Sequence, residues 1–292
     1  MPEKAGQWRT KHLSFQDRPD DVFTIRYRNP VEAIRSLWKD EELSPHIKVS
    51  PTKIYSSQDR KTRIFNEMWT AKWWHVIQVR YFLISIVSSI DCELQSKLPK
   101  GATLAPVIIA TDKTQLTQFS GNKSAYPVYL TIGNIPKALR RKPSMHACIL
   151  IAYLSVDKVD RTKMTDIEHR SRVQRVFHES MRTVLEPLIE AGNQGVEMVG
   201  SDGAWRKVFP ILTCYVADYP EQCLVTCTKY GTCVKCKAPA KDLQNPKPAE
   251  ARSQTWTKNI LDEGREQANG NPRAFHTYCM SFDVAGTVFK PF

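Results

Sequence analysis

The sequence lacks both the long apolar run of a membrane span and the apolar leader of a secreted chain. Its longest apolar run, FLISIVSSI at residues 82–90, is bracketed by Arg80 and Asp91. A membrane-spanning helix needs about 20 apolar residues, so this run is too short to cross a bilayer. Residues 1–21 are polar and charged. They show no secretory signal, and we expect them to form a disordered tail.

The missing signal also bears on the eight cysteines of the chain. Disulfide frameworks belong to oxidising compartments. These cysteines are therefore expected to be reduced thiols or metal ligands. Cys148 and Cys214 lie inside apolar stretches, which is typical of core residues. Internal repeats are also absent from the sequence.

What the sequence does have is positive charge and enough apolar residues for a core. The chain has 292 residues, of which 41% are hydrophobic, and its net charge is +12. This length suits one large domain or two ordinary ones. The charge favours a polyanionic partner, with nucleic acid first and an anionic surface second, although many basic proteins have neither.

Residues 22–98 are predicted to form a mostly helical region. The segment NPVEAIRSLWKD has apolar residues at helical spacing, with Asn29 as its cap and Pro30 at an early helical position. A second helix is predicted over RKTRIFNEMWTAKWW. Its tryptophans could stack on nucleic-acid bases or pack in the core, and their spacing favours the core. These tryptophans are Trp69, Trp73 and Trp74.

Residues 99–222 change to runs rich in Val and Ile. Three strands are predicted at LAPVIIATD, YPVYLTIGNI and HACILIAYLSV, with Gly121 and Asn122 in the turn between the first two. The segment DIEHRSRVQRVFHESMRTVLEPLIEAG predicts a long amphipathic helix. After a turn at SDG, KVFPILTCYVAD predicts a further strand that ends at Asp218.

This order of elements is that of a ribonuclease-H-like core, an α/β fold. In such folds the first and fourth strands are neighbours, so Asp112 and Asp218 at their ends are expected to meet at one sheet edge. Adjacent carboxylates suit Mg²⁺ or Mn²⁺, and two such ions stabilise the attacking and leaving oxygens of phosphoryl transfer. The simpler alternatives are a strand-end cap for Asp112 and a turn before Pro220 for Asp218.

A cysteine cluster follows directly, in CLVTCTKYGTCVKC. It ends in a C-x-x-C pair with the spacing of a zinc knuckle, and four thiolates suit one tetrahedral Zn²⁺. The candidate ligands are Cys223, Cys227, Cys233 and Cys236. His276 or Cys279 could replace Cys223 as the fourth ligand. A redox pair and inert thiols are the alternatives.

Basic residues near the strand ends are candidates for contact with DNA phosphates. Lys113 follows Asp112, and the segment KALRRKPSMH concentrates four cations in one loop. Such residues can hold a DNA backbone by charge, or they can simply face solvent. The four cations are Lys137, Arg140, Arg141 and Lys142.

The motifs as a whole resemble those of Plavaka transposases, a family of fungal DNA transposons similar to the CACTA group. The resemblance rests on TIRYRNPVEAI, APVIIATDKTQL, GVEMVGSDGAWRKVFPILTCYVADYPEQCLVTC and CVKC, and covers most of the chain from about Phe23. It implies cut-and-paste transposition in the nucleus, with the double-stranded transposon ends as partner, a possible homo-oligomer and no membrane. Asp112 and Asp218 resemble the first two acids of the family's metal-binding triad, and the cysteine cluster also has a counterpart.

Two departures from the family qualify this expectation. Members continue past FDVAGTVFKPF, and the third acid is expected there; the nearest acids after the cysteines are Asp262, Glu263 and Glu266. Residues 223–292 are thus expected to hold the cysteine insertion and a truncated helical segment. The chain is then an inactive transposase remnant, or a non-catalytic DNA-binding or interaction module.

The second departure is an apolar insertion near residues 75–95, HVIQVRYFLISIVSSIDCELQ. In the family, the double tryptophan leads almost directly into the first strand of the core. The insertion shows neither clean helical nor clean strand periodicity. It is interpreted either as translated intron sequence or as a genuine buried helix.

Overall fold

The computed structural model describes residues 5–79, 102–117, 121, 123–247 and 249–286, and this part of the chain has a mixed α/β fold. The strands are β1 (Arg9–Phe15), β2 (Arg18–Tyr27), β3 (Ile54–Tyr55), β4 (Arg63–Ile64), β5 (Thr103–Thr111), β6 (Thr114–Gln115), β7 (Ser124–Ala125), β8 (Pro127–Ile132), β9 (Ile149–Tyr153), β10 (Val196–Val199) and β11 (Trp205–Val216). The helices are α1 (Pro30–Lys39), α2 (Lys72–Val79), α3 (Lys137–Arg140), α4 (Asp166–Gln194), α5 (Tyr219–Val225), α6 (Gln254–Ala268) and α7 (Pro272–Ser281).

Seven strands form one mixed sheet in the order β1-β2-β9-β8-β5-β11-β10. The strand β5 is antiparallel to β8 and parallel to β11. Its sequence TLAPVIIAT is buried at nearly every position, as expected for a central strand that is covered on both faces. The strands predicted at LAPVIIATD, YPVYLTIGNI, HACILIAYLSV and KVFPILTCYVAD are confirmed, although Asn122 of the intervening turn lies outside the described residues.

Two helices cover one face of this sheet and form the main core with it. The helix α4 begins at a capping box, in which Thr165 and Glu168 exchange side-chain and backbone hydrogen bonds. Its apolar side, including Met181 and Val184, joins Val107 and Ile109 of β5 in one buried cluster. The other helix, α1, contributes the fully buried Trp38 and is capped by Asn29, as its sequence predicts.

The N-terminal part of the chain differs from its prediction. Most of the expected tail at 1–21 belongs to the hairpin of β1 and β2, which extends the sheet. Only the alternate residues Leu13, Phe15, Phe23 and Ile25 are buried, against α4. The outward positions are polar apart from Val22, which explains why the sequence resembles a disordered tail. The region 22–98 is likewise not mostly helical where it is described, since it contains part of β2 as well as β3 and β4.

The tryptophan segment packs over part of the opposite face of the sheet. The predicted helix over RKTRIFNEMWTAKWW is shorter than expected, because β4 and a 3-10 turn precede α2. Trp69 and Trp74 are buried together with Leu104 and Phe209, at the starts of β5 and β11. Packing in the core, and not base stacking, is thus confirmed for these two tryptophans. Most of the insertion near 75–95 lies outside the described residues.

The cysteine segment and the C-terminal helices form a second, smaller core. The residues Ile260, Leu261, Phe275 and Cys279 of α6 and α7 pack against Cys227. The helix predicted near TWTKNILDEGREQAN is confirmed as α6. None of the helices in the described residues combines the length and apolar character that a membrane span requires.

Candidate active site

The two predicted acids lie at the same edge of the sheet. The strands β5 and β11 pair in parallel, and their last registered pair joins Ala110 to Val216. Asp112 and Asp218 each follow that pair by two residues. Since parallel neighbours end at the same side of a sheet, the fold brings together two carboxylates that are far apart in the sequence.

Both carboxylates are exposed and have local hydrogen bonds. Asp112 Oδ2 accepts from Thr114 Oγ1 at 3.3 Å. Asp218 caps α5, with its Oδ1 accepting from the backbone N–H of Glu221 at 3.0 Å. The structural role considered for Asp218 is therefore present, as an N-cap and not only as a turn. The capping hydrogen bond uses Oδ1, so Oδ2 of Asp218 can accept a further ligand.

A third carboxylate at this edge was not predicted. Glu221 is buried, and its Oε1 accepts a hydrogen bond from the hydroxyl of Thr111. The same oxygen lies 3.5 Å from the hydroxyl of Tyr215, which in turn is 2.9 Å from Thr111 Oγ1. The sequence carries a signal for this residue, because an acid three positions after an N-cap is the pattern of a capping box.

Tyrosine hydroxyls surround the buried carboxylate. Burial, and then the charge of Glu221 and a hydrogen bond with it, raise the pKa of Tyr126. Burial is also the main reason that the pKa of Tyr215 is raised, and Glu221 adds to it. Both phenols thus stay protonated at neutral pH, so they serve Glu221 as hydrogen-bond donors.

The donor set at this edge fits a hard divalent cation in its chemistry, because such cations prefer carboxylate oxygens. Asp112 and Asp218 are exposed, whereas Glu221 is buried and accepts the hydrogen bond from Thr111. Within the described ranges, no three His, Cys, Asp or Glu side chains come close enough to hold one ion. Two of the later acids have other partners, since Asp262 pairs with Arg265 and Glu263 accepts from Tyr278.

The four candidate zinc ligands fall into different surroundings. Cys233 and Cys236 are half-buried neighbours, and Arg252 Nε donates to both of their carbonyl oxygens, at 2.9 and 3.0 Å. Partial burial opposes ionisation of Cys233, but hydrogen bonds from the Lys235 and Cys236 N–H groups lower its pKa overall. The thiolate is the form of cysteine that binds a metal or reacts with an electrophile, so the lowered pKa favours both at Cys233.

Cys227 has a different environment, in the smaller core. Its Sγ lies 3.7 Å from Nε2 of His178, and the same nitrogen is 3.1 Å from the carbonyl oxygen of Leu224. Burial raises the pKa of Cys227 to about 12 and that of Cys279 to about 11. Cys223 is also buried, and burial raises its pKa too. The arrangement thus presents one C-x-x-C pair and three protonated thiols, and not four converging sulfurs.

The basic candidates separate into engaged and exposed side chains. Lys137 Nζ donates to the carbonyl of Asn66 at 2.9 Å. Arg140 donates to the carbonyl of Ile135 at 2.9 Å and is paired with Glu67. The remaining candidates, Lys113, Arg141 and Lys142, are exposed. These three are the ones whose positions suit contact with phosphates.

Two further cysteines differ from their prediction. Cys148 and Cys214 are exposed, so their assignment to the core is wrong. Cys214 lies on the alternating part of β11, where every second side chain points away from the α4 core. Apolar neighbours in the sequence therefore did not mean burial there.

The comparison with protein-family models gives a match. The family model described as Plavaka transposase matches residues 1–292. The comparison with curated proteins finds no match. Because the match extends over the whole sequence and includes both acid-bearing strand ends and the cysteine segment, the chain belongs to the Plavaka transposase family.

Proposed function

We propose that this chain carries the acidic core of a DNA transposase, which cleaves DNA strands with bound Mg²⁺ or Mn²⁺. The observation that carries the proposal is the parallel pairing of β5 and β11, which ends with Ala110 opposite Val216 and leaves Asp112 and Asp218 at one edge. Membership of a transposase family supplies the substrate class, DNA.

The order of the strands supports a ribonuclease-H-like core for this reaction. The strands β9, β8, β5 and β11 are consecutive neighbours. In chain order, these are the third, second, first and fourth strands of the predicted core. The first three are antiparallel neighbours, and the crossover through α4 returns β11 parallel to β5. The neighbouring positions of the first and fourth strands, β5 and β11, support the proposed core.

Asp112 and Asp218 are the residues that would hold the divalent cations. Such ions, once bound, would stabilise the attacking and leaving oxygens of a phosphoryl transfer. The protein contributes the rigid sheet edge that fixes both acids, and Glu221 supports it from below through Thr111. Asp218 Oδ1 is oriented by the N-terminus of α5, which leaves Oδ2 for a cation.

The proposed partner is the double-stranded DNA of transposon ends, bound in the nucleus. The net charge of +12 favours such a polyanion. Exposed cations lie near the acidic edge in the sequence, with Lys113 next to Asp112. A second copy of the chain is a further proposed partner, because two DNA ends are joined in transposition.

Zinc binding by the cysteine segment remains a separate proposal. The pair Cys233 and Cys236 supplies the lowered thiol pKa and the C-x-x-C spacing that favour a metal. Recruiting Cys223 and Cys227 would require both to lose a proton that burial now stabilises. Zinc content of the purified protein, and its loss in Cys233→Ser, test this proposal.

The test of the proposed reaction is nicking of supercoiled plasmid by the purified chain with Mg²⁺ or Mn²⁺. Asp112→Asn and Asp218→Asn should each abolish nicking while leaving DNA binding in place. The matched control is Asp20→Asn, which removes an exposed carboxylate from the β2 strand. Nicking that persists in both site variants would disprove the assignment.

The alternative is a DNA-binding module without chemistry. It is favoured by the fact that the described residues bring only two exposed carboxylates to the edge, with no group of three suited to a metal. The same plasmid assay separates the two functions. Absence of nicking by wild type, together with DNA binding that weakens as salt is raised, would support the module.

A further inference from the structure

One half of the sheet has an exposed aromatic and apolar surface that the proposed cleavage does not use. On the side opposite α1 and α4, the tryptophan segment packs over the beginning of β5 and β11. Toward the ends of these strands, large side chains on that side are exposed. We call this surface the aromatic face; its members are Trp8 (42% exposed), Tyr129 (38%), Tyr153 (38%) and Val216 (51%).

The strand registers show that these side chains share one surface. Tyr129 and Val216 both lie opposite Ala110, and side chains of directly opposed residues are on the same face. Tyr153 is opposite Pro127, which is two residues from Tyr129 along β8 and therefore on the same side. Trp8 stacks on Tyr153, with ring centroids 6.0 Å apart and an angle of 20° between the rings.

Positive charge borders this surface. Arg26 is exposed and lies directly opposite Tyr153. The guanidinium carbon of Arg28 is 4.5 Å from the centroid of the Trp8 ring. Arg28 is buried beneath the Trp8 ring, so the rings offer stacking surfaces for bases and the exposed Arg26 offers a partner for a phosphate.

The aromatic face also leads toward the acidic edge. Tyr129 pairs with Ala110, and Asp112 follows that residue on the same strand. A polymer lying along the rings therefore reaches the end of β5, where the proposed cleavage would occur. An unwound DNA end has unpaired bases that can stack, whereas the bases of a duplex are already stacked on one another.

We propose that the aromatic face binds single-stranded DNA, with bases stacked on Tyr129, Tyr153 and Trp8. The choice of DNA rests on the proposed function, but the binding requires neither a metal ion nor Asp112 and Asp218. In a transposase, such a surface would hold a strand that is separated at the transposon end. A second copy of this chain is the competing occupant, and the experiment below distinguishes it.

The test is fluorescence anisotropy with a labelled oligo-dT, in EDTA and at low salt. The double variant Tyr129→Leu, Tyr153→Leu should bind at least about tenfold more weakly. Two bases lose the rings on which they stack, whereas leucine keeps apolar area at both positions. Tyr129→Phe, Tyr153→Phe keeps both rings and should bind as wild type does. Trp205→Leu removes a 72%-exposed aromatic at the start of β11 and is the matched control.

An abasic oligonucleotide of the same length gives the second readout. Wild type should prefer oligo-dT over it, and the double Leu variant should lose that preference while keeping its affinity for phosphates. Equal binding of oligo-dT by wild type and the double Leu variant would overturn the proposal. So would a dimer in sedimentation that the Leu variant abolishes, because the face would then be covered by a second copy. The variant Tyr153→Leu alone serves if the double variant does not fold.

These measurements are independent of cleavage, because EDTA removes the divalent ions. Loss of nicking in Asp112→Asn with unchanged oligo-dT binding leaves the aromatic face supported. If wild type nicks DNA but the double Leu variant binds oligo-dT as tightly as wild type does, the proposed role of the aromatic face is refuted and the proposed function stands. The two proposals can therefore fail separately.

Discussion

Glu221 accepts a hydrogen bond from Thr111, the residue directly before Asp112. At the same time, the backbone N–H of Glu221 donates to Asp218. One residue of α5 thus contacts the chain next to the first acid and the second acid itself. Since Glu221 is buried and its tyrosine neighbours are protonated, this link is a fixed support for the edge and not a solvent-exposed ligand.

Glu221→Ala should destabilise the fold by about 2 kcal/mol, because the hydroxyls of Thr111 and Tyr215 lose a buried acceptor. Urea unfolding, followed by circular dichroism, measures this change. Glu190→Ala removes an exposed carboxylate near the end of α4 and should change stability by less than about 0.5 kcal/mol. Equal effects of the two substitutions would contradict the supporting role of Glu221.

The turn between β10 and β11 contains an ion pair between Asp202 and Arg206, and the pKa of Asp202 can be measured. The guanidinium of Arg206 contacts both oxygens of Asp202, at 3.0 and 2.6 Å. These hydrogen bonds, followed by one from the N–H of Ala204, lower the pKa of Asp202 to about 2. The folded pKa is below the ordinary value, so the pair stabilises the turn above pH 3.8 and this contribution is lost as pH falls through about 2.

Arg206→Gln should therefore raise the pKa of Asp202 toward 3.8. The pKa can be read from the carboxyl carbon shift in an NMR titration. Lys207→Gln removes the adjacent cation, whose ammonium lies over the ring of Phe209, and should leave the pKa of Asp202 low. If both variants titrate alike, the cause is general charge and not the Arg206 hydrogen bonds.

The core of the fold could be predicted because its strands are buried and continuous in sequence. LAPVIIATD has the apolar run of a central strand, and β5 is buried as that pattern requires. The hairpin of β1 and β2 escaped prediction because one face of each strand is solvated. Its few buried residues, such as Leu13 and Phe23, are stabilised by packing with the distant helix α4.

The candidate site could be predicted only in part, for a similar reason. Asp112 and Asp218 end recognisable strands, so topology alone pairs them. Glu221 acts through Thr111, 110 residues away in the sequence. The cysteines were judged by their spacing, whereas the structure gives Cys227 the contact with His178 of α4. Contacts between remote segments of this kind have no periodic signature in a single sequence.

The thiols should differ widely in their reaction with iodoacetamide at pH 7.5. The thiolate is the reactive form. The lowered pKa of Cys233 predicts fast alkylation, whereas Cys227 and Cys279, with pKa values near 12 and 11, should react only after unfolding. Peptide mapping by mass spectrometry measures the three rates.

A zinc-bound form would give a different pattern in the same experiment. Four ligated thiolates should be protected together, and a chelator should release them together. Cys236→Ala should slow alkylation of Cys233 in the metal-free form, since it removes a side-chain hydrogen bond that lowers the Cys233 pKa. Fast alkylation of Cys227 in the folded, chelated protein would contradict its buried position.

The exposed cations after α3 should contribute to binding of duplex DNA through phosphates. Each contact releases counterions, so its removal should weaken binding and reduce the slope of log affinity against log salt by about 1. Arg141→Gln and Lys142→Gln test this in EDTA, by anisotropy at several salt concentrations. The loss should be the same for unrelated DNA sequences, because phosphate contacts carry no base information.

Lys241→Gln is the matched control, an exposed cation in the segment after the cysteines. It leaves the salt slope unchanged if the duplex lies near α3. If the slope falls equally in all three variants, binding depends on the total positive charge of the protein and not on cations at one defined site. If Arg141→Gln and Lys142→Gln leave the slope unchanged, this loop is excluded from the interface. Losing a phosphate contact leaves counterions on the DNA, so fewer are released on binding and the slope must fall.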